Sequence, residues 1–372
     1  MMMRGVNWRH FDFWLLGAVA VLTIFGITMI RSAIAGNIEL QELNLVRRQL
    51  IFAVLGFIVI IIAASIDYHT WSTLNQTMYV GMWILLGVLF VTGAVFFGSA
   101  RWFDTGVILI QPSELAKIVM ILVLADFFSK NQNRIHDLRV VIQSMTLTVG
   151  IVIWILLQPN LSTSIVIFVI WFALLFASGL TPKHLFLFLG LGILAPIVSF
   201  PFLVDYQQDR IINFLFPDPE ARHGEIYNLQ QALISIGSGG WLGKGYGHGT
   251  QVQLRFLKVR HSDFIFSAIA EEFGFVGSVL VILLLLFIIY RCVRVAQRAQ
   301  DSFGGLIAYG VATLIAFQAI VNIGVNLNLL PATGLTLPFV SYGGSSLLSI
   351  LLGIGLVESV ALRQKALEFS AI

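Results

Sequence analysis

Runs of about 20 predominantly apolar residues recur along almost the whole chain, and a helix needs roughly that length to cross a lipid hydrocarbon core. Between charges, prolines and polar clusters there are ten such runs in 372 residues. They are Phe11 to Ile30, Leu50 to Ile66, Met78 to Gly98, Ser113 to Ser129, Val140 to Leu157, Leu161 to Gly179, His184 to Leu203, Asp263 to Tyr290, Phe303 to Leu327 and Phe339 to Leu362. Only 11% of residues are charged and 58% are hydrophobic, whereas soluble domains carry about a quarter charged residues. So much apolar surface does not fit inside one water-soluble core of this length. The sequence therefore predicts an all-α, polytopic membrane protein with about ten transmembrane helices, a single integral membrane domain over residues 1–372 with the lipid bilayer as its main solvent.

Lys and Arg in the short loops set the orientation. With the N-terminus inside, the cytoplasmic segments hold eleven: Arg4, Arg9, Lys130, Arg134, Arg139, Lys183, Arg291, Arg294, Arg298, Arg363 and Lys365. The short outer loops hold four, Arg31, Arg47, Arg48 and Arg101. Both termini are expected in the cytoplasm. The first run ends in Ser32-Ala33-Ile34-Ala35-Gly36, which resembles a small-residue cleavage site, but its apolar stretch is too long for a typical signal peptide, so a retained helix is expected. Lys and Arg number 22 against 19 Asp and Glu, too small an excess for a nucleic-acid footprint, so no nucleic acid is expected as a partner. A single cysteine, Cys292, excludes internal disulfides and multi-cysteine metal sites.

One long outer loop, about 204–262, joins the seventh and eighth runs. It opens with Asp205, Gln207, Gln208, Asp209 and Arg210, reads as an amphipathic helix around Ile226 to Ile236, and ends in a glycine-rich stretch, Ile236 to Thr250. That stretch contains Lys244 and backbone amides able to meet phosphate oxygens. It is not a Walker loop, because Gly243-Lys244 is followed by Gly245. A turn-rich connector with positive-φ positions explains it equally well.

Ionisable groups inside a membrane are costly and point to function. Glu114 and Lys117 in the fourth run are three apart, hence on one helical face. Asp263, Ser267 and Glu271 follow an i, i+4, i+8 spacing in the eighth run. Gln318, Asn322 and Asn326 repeat it in the ninth, and the tenth begins with Ser341-Tyr342-Gly343-Gly344. These groups gather at the outer ends, while the inner half offers mainly Asp126 and Glu358. Each has a plainer explanation: interhelical hydrogen bonds for the Asn ladder, a structural ion pair for Glu114 and Lys117, and a helix N-cap for Asp263. Their convergence at one end favours chemistry there. The seven histidines show no HExxH pattern and no pair placed with acidic ligands in a span, so no structural metal is expected; no Gly-x-Ser-x-Gly nucleophile elbow occurs either.

Several strings resemble one family over essentially the whole chain. They are Arg101-Trp102-Phe103, Gln111-Pro112-Ser113-Glu114-Leu115-Ala116-Lys117, Gln158-Pro159-Asn160-Leu161, Ile236-Gly237-Ser238-Gly239-Gly240, Gly249-Thr250-Gln251, His261-Ser262-Asp263-Phe264-Ile265-Phe266 with Glu271-Glu272, and Leu337-Pro338-Phe339-Val340-Ser341-Tyr342-Gly343-Gly344-Ser345. Together they resemble the SEDS family (shape, elongation, division and sporulation). The Gly-Thr-Gln element is more similar to its elongation branch, RodA, than to its division branch, FtsW. The resemblance implies a peptidoglycan glycosyltransferase that polymerises lipid II, a disaccharide-pentapeptide on undecaprenyl diphosphate, at the outer face of the bacterial cytoplasmic membrane, working with a class B penicillin-binding protein transpeptidase. It places the family's essential acid at Asp263 and its intramembrane lysine and glutamate at Lys117 and Glu114.

Two departures stand out. The family usually has Gln-Pro-Asp-Leu-Gly-Thr where this chain has Gln158-Pro159-Asn160-Leu161-Ser162-Thr163, and Leu-Pro-Glu where it has Leu257-Lys258-Val259. The expected mechanism uses Asp263 as general base towards a sugar hydroxyl, with positive groups on the departing diphosphate. Lys117 ranks first for that role, Arg101 second, and Lys244 and Arg210 behind. Ser341 and Tyr342 are expected to contact substrate with Glu114. A divalent cation is a further way to balance the diphosphate, although no dedicated site is visible. The alternatives are a lipid II flippase, which needs polar groups through the full depth of the bundle, and a non-catalytic scaffold for the transpeptidase.

Overall fold

The computed structural model describes residues 10–35, 43–92, 94–96, 99–104, 109–181, 198–217 and 224–364, with alternate positions from 184 to 194. In chain order the described elements are α1 (Phe13–Ile34), α2 (Leu45–Ser65), α3 (Tyr68–Thr73), α4 (Asn75–Thr92), β1 (Ala94–Phe96), β2 (Ser99–Asp104), β3 (Leu109–Ile110), α5 (Pro112–Lys130), α6 (Leu138–Leu157), α7 (Leu161–Ala177), α8 (Asp205–Leu215), α9 (Gly224–Gly239), α10 (Thr250–Gln253), α11 (Ile265–Arg298), α12 (Ser302–Asn326) and α13 (Gly344–Ala361). It is a polytopic, helical membrane protein. Among the described residues seven helices, α1, α2, α4, α6, α11, α12 and α13, are long and apolar enough to cross a membrane. The fourth and sixth expected spans form α5, whose 19 residues include four charged ones, and α7, with 17 residues. The seventh, His184 to Leu203, lies largely outside the described residues.

Local chemistry accounts for the helix starts. Asp12, Asp137, Asn160 and Asp301 each accept an amide from the first turn of α1, α6, α7 and α12, satisfying a donor that has no partner within the helix. Helix α12 is the hub, packing on α5, α7, α11 and α13, while α13 also lies along α2.

Two expectations on helix boundaries are corrected. The third expected span ran to Gly98, but α4 stops at Thr92 and gives way to an antiparallel β1–β2–β3 meander in which Ala94 pairs with Trp102 and Phe103 with Ile110. Aromatic and β-branched residues such as Val95, Phe96, Trp102 and Phe103 suit the extended chain. The eighth span does not open with Asp263. Helix α11 begins at Ile265, with Phe264 as its N-cap residue, so Asp263 belongs to the preceding loop and shares no helical face with Ser267 and Glu271.

Helix α11 is also broken inside. Gly274 takes φ 66°, ψ −162°, which interrupts the hydrogen-bond ladder at a depth where freed backbone groups need protein partners. The glycine-rich stretch supplies them. Phe275 and Val276 amides donate to the carbonyls of Gly240 and Trp241 at 2.8 and 3.1 Å, and the amides of Lys244 and Gly245 donate to the carbonyls of Glu271 and Glu272 at 3.0 and 2.9 Å. That stretch is a docked backbone partner for α11, and the amides of Lys244 and Gly245 are already occupied.

At the opposite end, pairings invisible in the sequence appear. Arg291 forms an ion pair with Asp12 at 2.5 Å, and the Asp12 amide donates to the buried Glu358 carboxylate at 2.9 Å. Asp126 accepts from Ser72, Asn75 and Lys130.

Candidate functional site

At the mouth of the bundle the loop before α11 meets α12 and the segment before α13, which brings Asp263, Ser341 and Tyr342 together, while Glu114 and Lys117 stand at the start of α5. Helix α5 starts with Pro112 in its first turn and Glu114 beside it; the fixed φ of proline and an acid near the positive end of the dipole both favour that start. One turn on, the Lys117 ammonium meets the Glu114 carboxylate at 2.8 Å. Lys117 is wholly buried and the Glu114 side chain 10% exposed. The lysine charge is therefore answered by Glu114 inside the helix packing and is not offered as an exposed contact.

Asp263 is partly exposed, and its main chain is held from several directions. Asn322 and Asn326 of α12 both donate their side-chain amides to the Asp263 carbonyl, at 3.1 and 2.9 Å. Ser341 donates its hydroxyl to the Ser262 carbonyl at 2.7 Å and accepts the Leu337 amide at 2.9 Å. The Tyr342 amide donates to the His261 carbonyl at 2.9 Å. Gln49 of α2 completes the frame, donating to the Ser341 carbonyl and accepting the Gly343 amide, both at 3.2 Å. The Asn ladder does serve as interhelical glue, and what it holds is the backbone of the candidate base.

The remaining expected residues divide. Ser341 is buried with both hydroxyl functions used, which makes it a positioner of the Asp263 loop. The Tyr342 ring packs against the His261 ring with centroids 5.8 Å apart, and the Arg48 charge acts on its hydroxyl. Lys244 is committed elsewhere: its ammonium lies 2.8 Å from Glu271 and 2.8 Å from the Thr250 hydroxyl. Glu271 also accepts the Gln251 amide at 2.9 Å, so Lys244 and Glu271 fasten the glycine-rich stretch to α11. Arg210 lies on α8, which packs against α9 in the long loop. Arg101 falls in β2, and its side chain lies outside the described residues. Asn160, at the first family departure, caps α7 by accepting the Thr163 amide at 3.2 Å, a task a carboxylate performs equally.

Three contributors had no role assigned from sequence. His261 is neutral at working pH, because burial and then the Arg260 charge push it down to about 4. Arg260 and Gln49 are nearly sealed from solvent. The histidine opens the string that contains Asp263 and the arginine directly precedes it, which was the available signal; nothing near Gln49 announced its contact with a loop almost 300 residues away. Among the described residues no group of three His, Cys, Asp or Glu side chains is arranged to hold a metal ion.

A mouth of this kind, with an acid held by an Asn pair and a buried Lys–Glu pair in a helical membrane bundle, invites comparison with known proteins. Residues 13–366 match the model of the FtsW/RodA/SpoVE family of cell cycle proteins. The chain belongs to that family. It is 36% identical over 384 residues to a probable peptidoglycan glycosyltransferase FtsW of Hydrogenovibrio crunogenus, covering 98% of this chain and 97% of that one. It is 34% identical over 371 residues to the peptidoglycan glycosyltransferase MrdB of Escherichia coli K12, covering 97% and 96%. The crystal structure of the rod shape determining protein RodA of Thermus thermophilus superposes with a TM-score of 0.72 at 30% identity, over 97% of this chain and 99% of that one. A chain from a peptidoglycan synthase complex that coordinates polymerization and crosslinking superposes with a TM-score of 0.80 at 30% identity, over 94% and 97%.

Proposed function

We propose that this protein is a peptidoglycan glycosyltransferase that polymerises lipid II, with Asp263 as general base. The observation that carries the reading is the placement of Asp263: a partly exposed carboxylate whose carbonyl is fixed by Asn322 and Asn326, at the mouth of a membrane bundle. There a sugar headgroup reaches it while the isoprenoid tail stays in lipid. The Asp263 carboxylate takes the proton of the attacking sugar hydroxyl. That oxygen bonds to the anomeric carbon of the donor as the bond from that carbon to the diphosphate oxygen breaks, and undecaprenyl diphosphate leaves with the bonding pair.

General-base assistance is worth typically 10² to 10⁴ in rate. Lys117, shared with Glu114, and Arg101 are the groups proposed to balance the leaving diphosphate; Lys244, whose ammonium is held by both Glu271 and Thr250, contributes to architecture instead. The Lys and Arg bias of the short loops supports an orientation with this mouth on the outer face of the cytoplasmic membrane and both termini in the cytoplasm. The likeness to a chain of a synthase complex supports a transpeptidase of the class B penicillin-binding type as partner. Identities of 36% and 34% to relatives named FtsW and MrdB do not separate division from elongation, so the elongation role rests on Gly249-Thr250-Gln251.

Purified protein given labelled lipid II, with and without a co-expressed transpeptidase, is expected to make long glycan, and Asp263→Asn to lose at least a hundredfold in rate while remaining folded. Near-normal polymerisation by Asp263→Asn would remove the base assignment. Transbilayer movement of lipid II in liposomes without glycan would favour a flippase, and a chelator added to the same assay tests whether a divalent cation shares the diphosphate charge.

A further inference from the structure

Arg260 is among the largest fully buried side chains, 1% exposed, and it stands three residues before Asp263. Its Nε donates to the carbonyl of Ala33, in the last turn of α1. Its Nη1 donates to the carbonyl of Leu257 in its own loop at 3.0 Å. Nη2 is buried without a hydrogen-bond partner. A buried charge with one donor unmet is a costly way to fill space, and an apolar side chain of that volume would pack there more easily. What the guanidinium adds is a rigid two-ended tie between α1 and the loop, at a helix end where free carbonyls and the negative pole of the dipole receive a cation favourably.

The same turn of α1 is fastened to α11 independently. The Ser32 hydroxyl donates to Glu272 of α11 at 2.5 Å, and Gln253 of α10 donates to the Ser32 carbonyl at 3.4 Å. A closed ring results, running from α11 through Glu272 to Ser32 and Ala33, through Arg260 into the loop, and through Asp263 back to the start of α11. Asn322 and Asn326 reach Asp263 from α12, and Ser341 and Tyr342 reach its loop from the segment before α13. Arg260 brings in the α1 side.

We infer that Arg260 is a positioning residue for glycosyl transfer: by tying the 257–264 loop to the end of α1, it sets where the Asp263 carboxylate stands at the mouth. The inference rests on Asp263 being the base. It touches no substrate atom, so the expected signature is a loss in kcat with substrate binding preserved, since a misplaced base loses transition-state contact rather than ground-state affinity.

The test is steady-state polymerisation of lipid II by full-length purified Arg260→Met, Arg260→Lys and Asp263→Asn, each checked for folding by gel filtration and thermal unfolding. Arg260→Met is expected to lose about tenfold or more in kcat with KM for lipid II within twofold of wild type. Arg260→Lys, which keeps the charge but not the two-ended fork, is expected at an intermediate kcat. A folded Arg260→Met with kcat within twofold of wild type overturns the inference, as does a fall in kcat matched by a comparable rise in KM. If Arg260→Met does not fold, Arg260→Lys decides: a threefold or greater drop in kcat at unchanged KM supports the tie, and kcat within twofold of wild type refutes it. Activity surviving in Asp263→Asn removes the base assignment itself. An inactive Asp263→Asn beside a normal Arg260→Met removes the inference on Arg260 alone.

Discussion

The side-chain amide of Asn326 donates to the main-chain carbonyl of Asp263 at 2.9 Å, and the Asn326 side-chain oxygen accepts both the amide and the hydroxyl of Ser267, at 3.0 and 2.6 Å. One residue of α12 thus satisfies the loop just before α11 and the first turn of α11 together. The first turn of a helix has amides with no partner inside it, and in a membrane bundle those amides need protein. Asn326 meets that need and fixes the candidate base in the same act.

Replacing Asn326 with Leu strands the Ser267 amide and hydroxyl and leaves the Asp263 carbonyl to Asn322 alone, at a cost of about 1–3 kcal/mol for each buried group left unmet. The expected outcome is a lower unfolding temperature in detergent together with at least a tenfold loss in lipid II polymerisation. A stable variant with normal turnover would show that Asp263 is held adequately without this residue.

The Lys117–Glu114 pair separates architecture from chemistry. Removing one partner of a buried ion pair is destabilising by about 3–5 kcal/mol, whereas replacing both with neutral groups is often tolerated. Lys117→Met alone is expected to destabilise strongly. The double change Lys117→Met with Glu114→Gln is expected to recover most of the stability without recovering polymerisation. Full activity in the double variant would reduce the pair to a structural role.

The break in α11 gives a contrast between two glycines. A Cβ at Gly274 would stand 2.4 Å from the Gly243 nitrogen and 2.6 Å from the Trp241 carbonyl oxygen, in a backbone with φ +66°. Gly237, near the end of α9, meets nothing within 4 Å. Gly274→Ala is expected to release the glycine-rich stretch and abolish stable expression. Gly237→Ala is expected to be neutral or to stabilise by up to about 1 kcal/mol. Comparing detergent-solubilised yield and unfolding temperature of the two checks this.

At the end of the bundle away from Asp263, His69 has Nδ1 2.8 Å from Asp67 and Nε2 2.8 Å from Asp301. Carboxylates only accept, so both ring nitrogens must carry protons. Burial alone pulls the His69 pKa down, but the hydrogen bonds and charges of Asp67 and Asp301 outweigh it and hold the value above 6.5. Its contribution is therefore complete below an unfolded pKa of about 6.5 and is lost as pH rises through the higher folded value. The side chain is 47% exposed, so solvent screening keeps the effect below about 1 kcal/mol. Wild type is expected to lose more thermal stability between pH 6 and pH 8.5 than His69→Asn, measured by unfolding in detergent; equal losses would show that the clamp is inert.

How much of this was legible beforehand depended on the range of the interaction. Helix existence was readable because length and apolar composition are local quantities that lipid tests one segment at a time. Glu114 with Lys117 was readable for the same reason, since residues three apart on a helix meet whatever else the chain does. The stripe drawn through Asp263, Ser267 and Glu271 failed at its first member because a helix start is decided by which amides find partners, and here those partners come from α12. Lys244 looked like a phosphate ligand because the sequence does not reveal that Glu271 lies beside it.

By itself, then, the sequence determined that this is a helical membrane protein, which end of it concentrates polar groups, and which acid deserves suspicion, since burial in lipid and helical spacing are set by residue type and position along one segment. Only the tertiary structure decided what each polar group holds: Asn326 the Asp263 carbonyl, Gln49 the 341–343 loop, Arg260 the end of α1, Lys244 the Glu271 carboxylate. In a medium without water a donor or acceptor can be answered only by protein, and the answering group usually sits on another helix whose place in the bundle is a property of the whole packing.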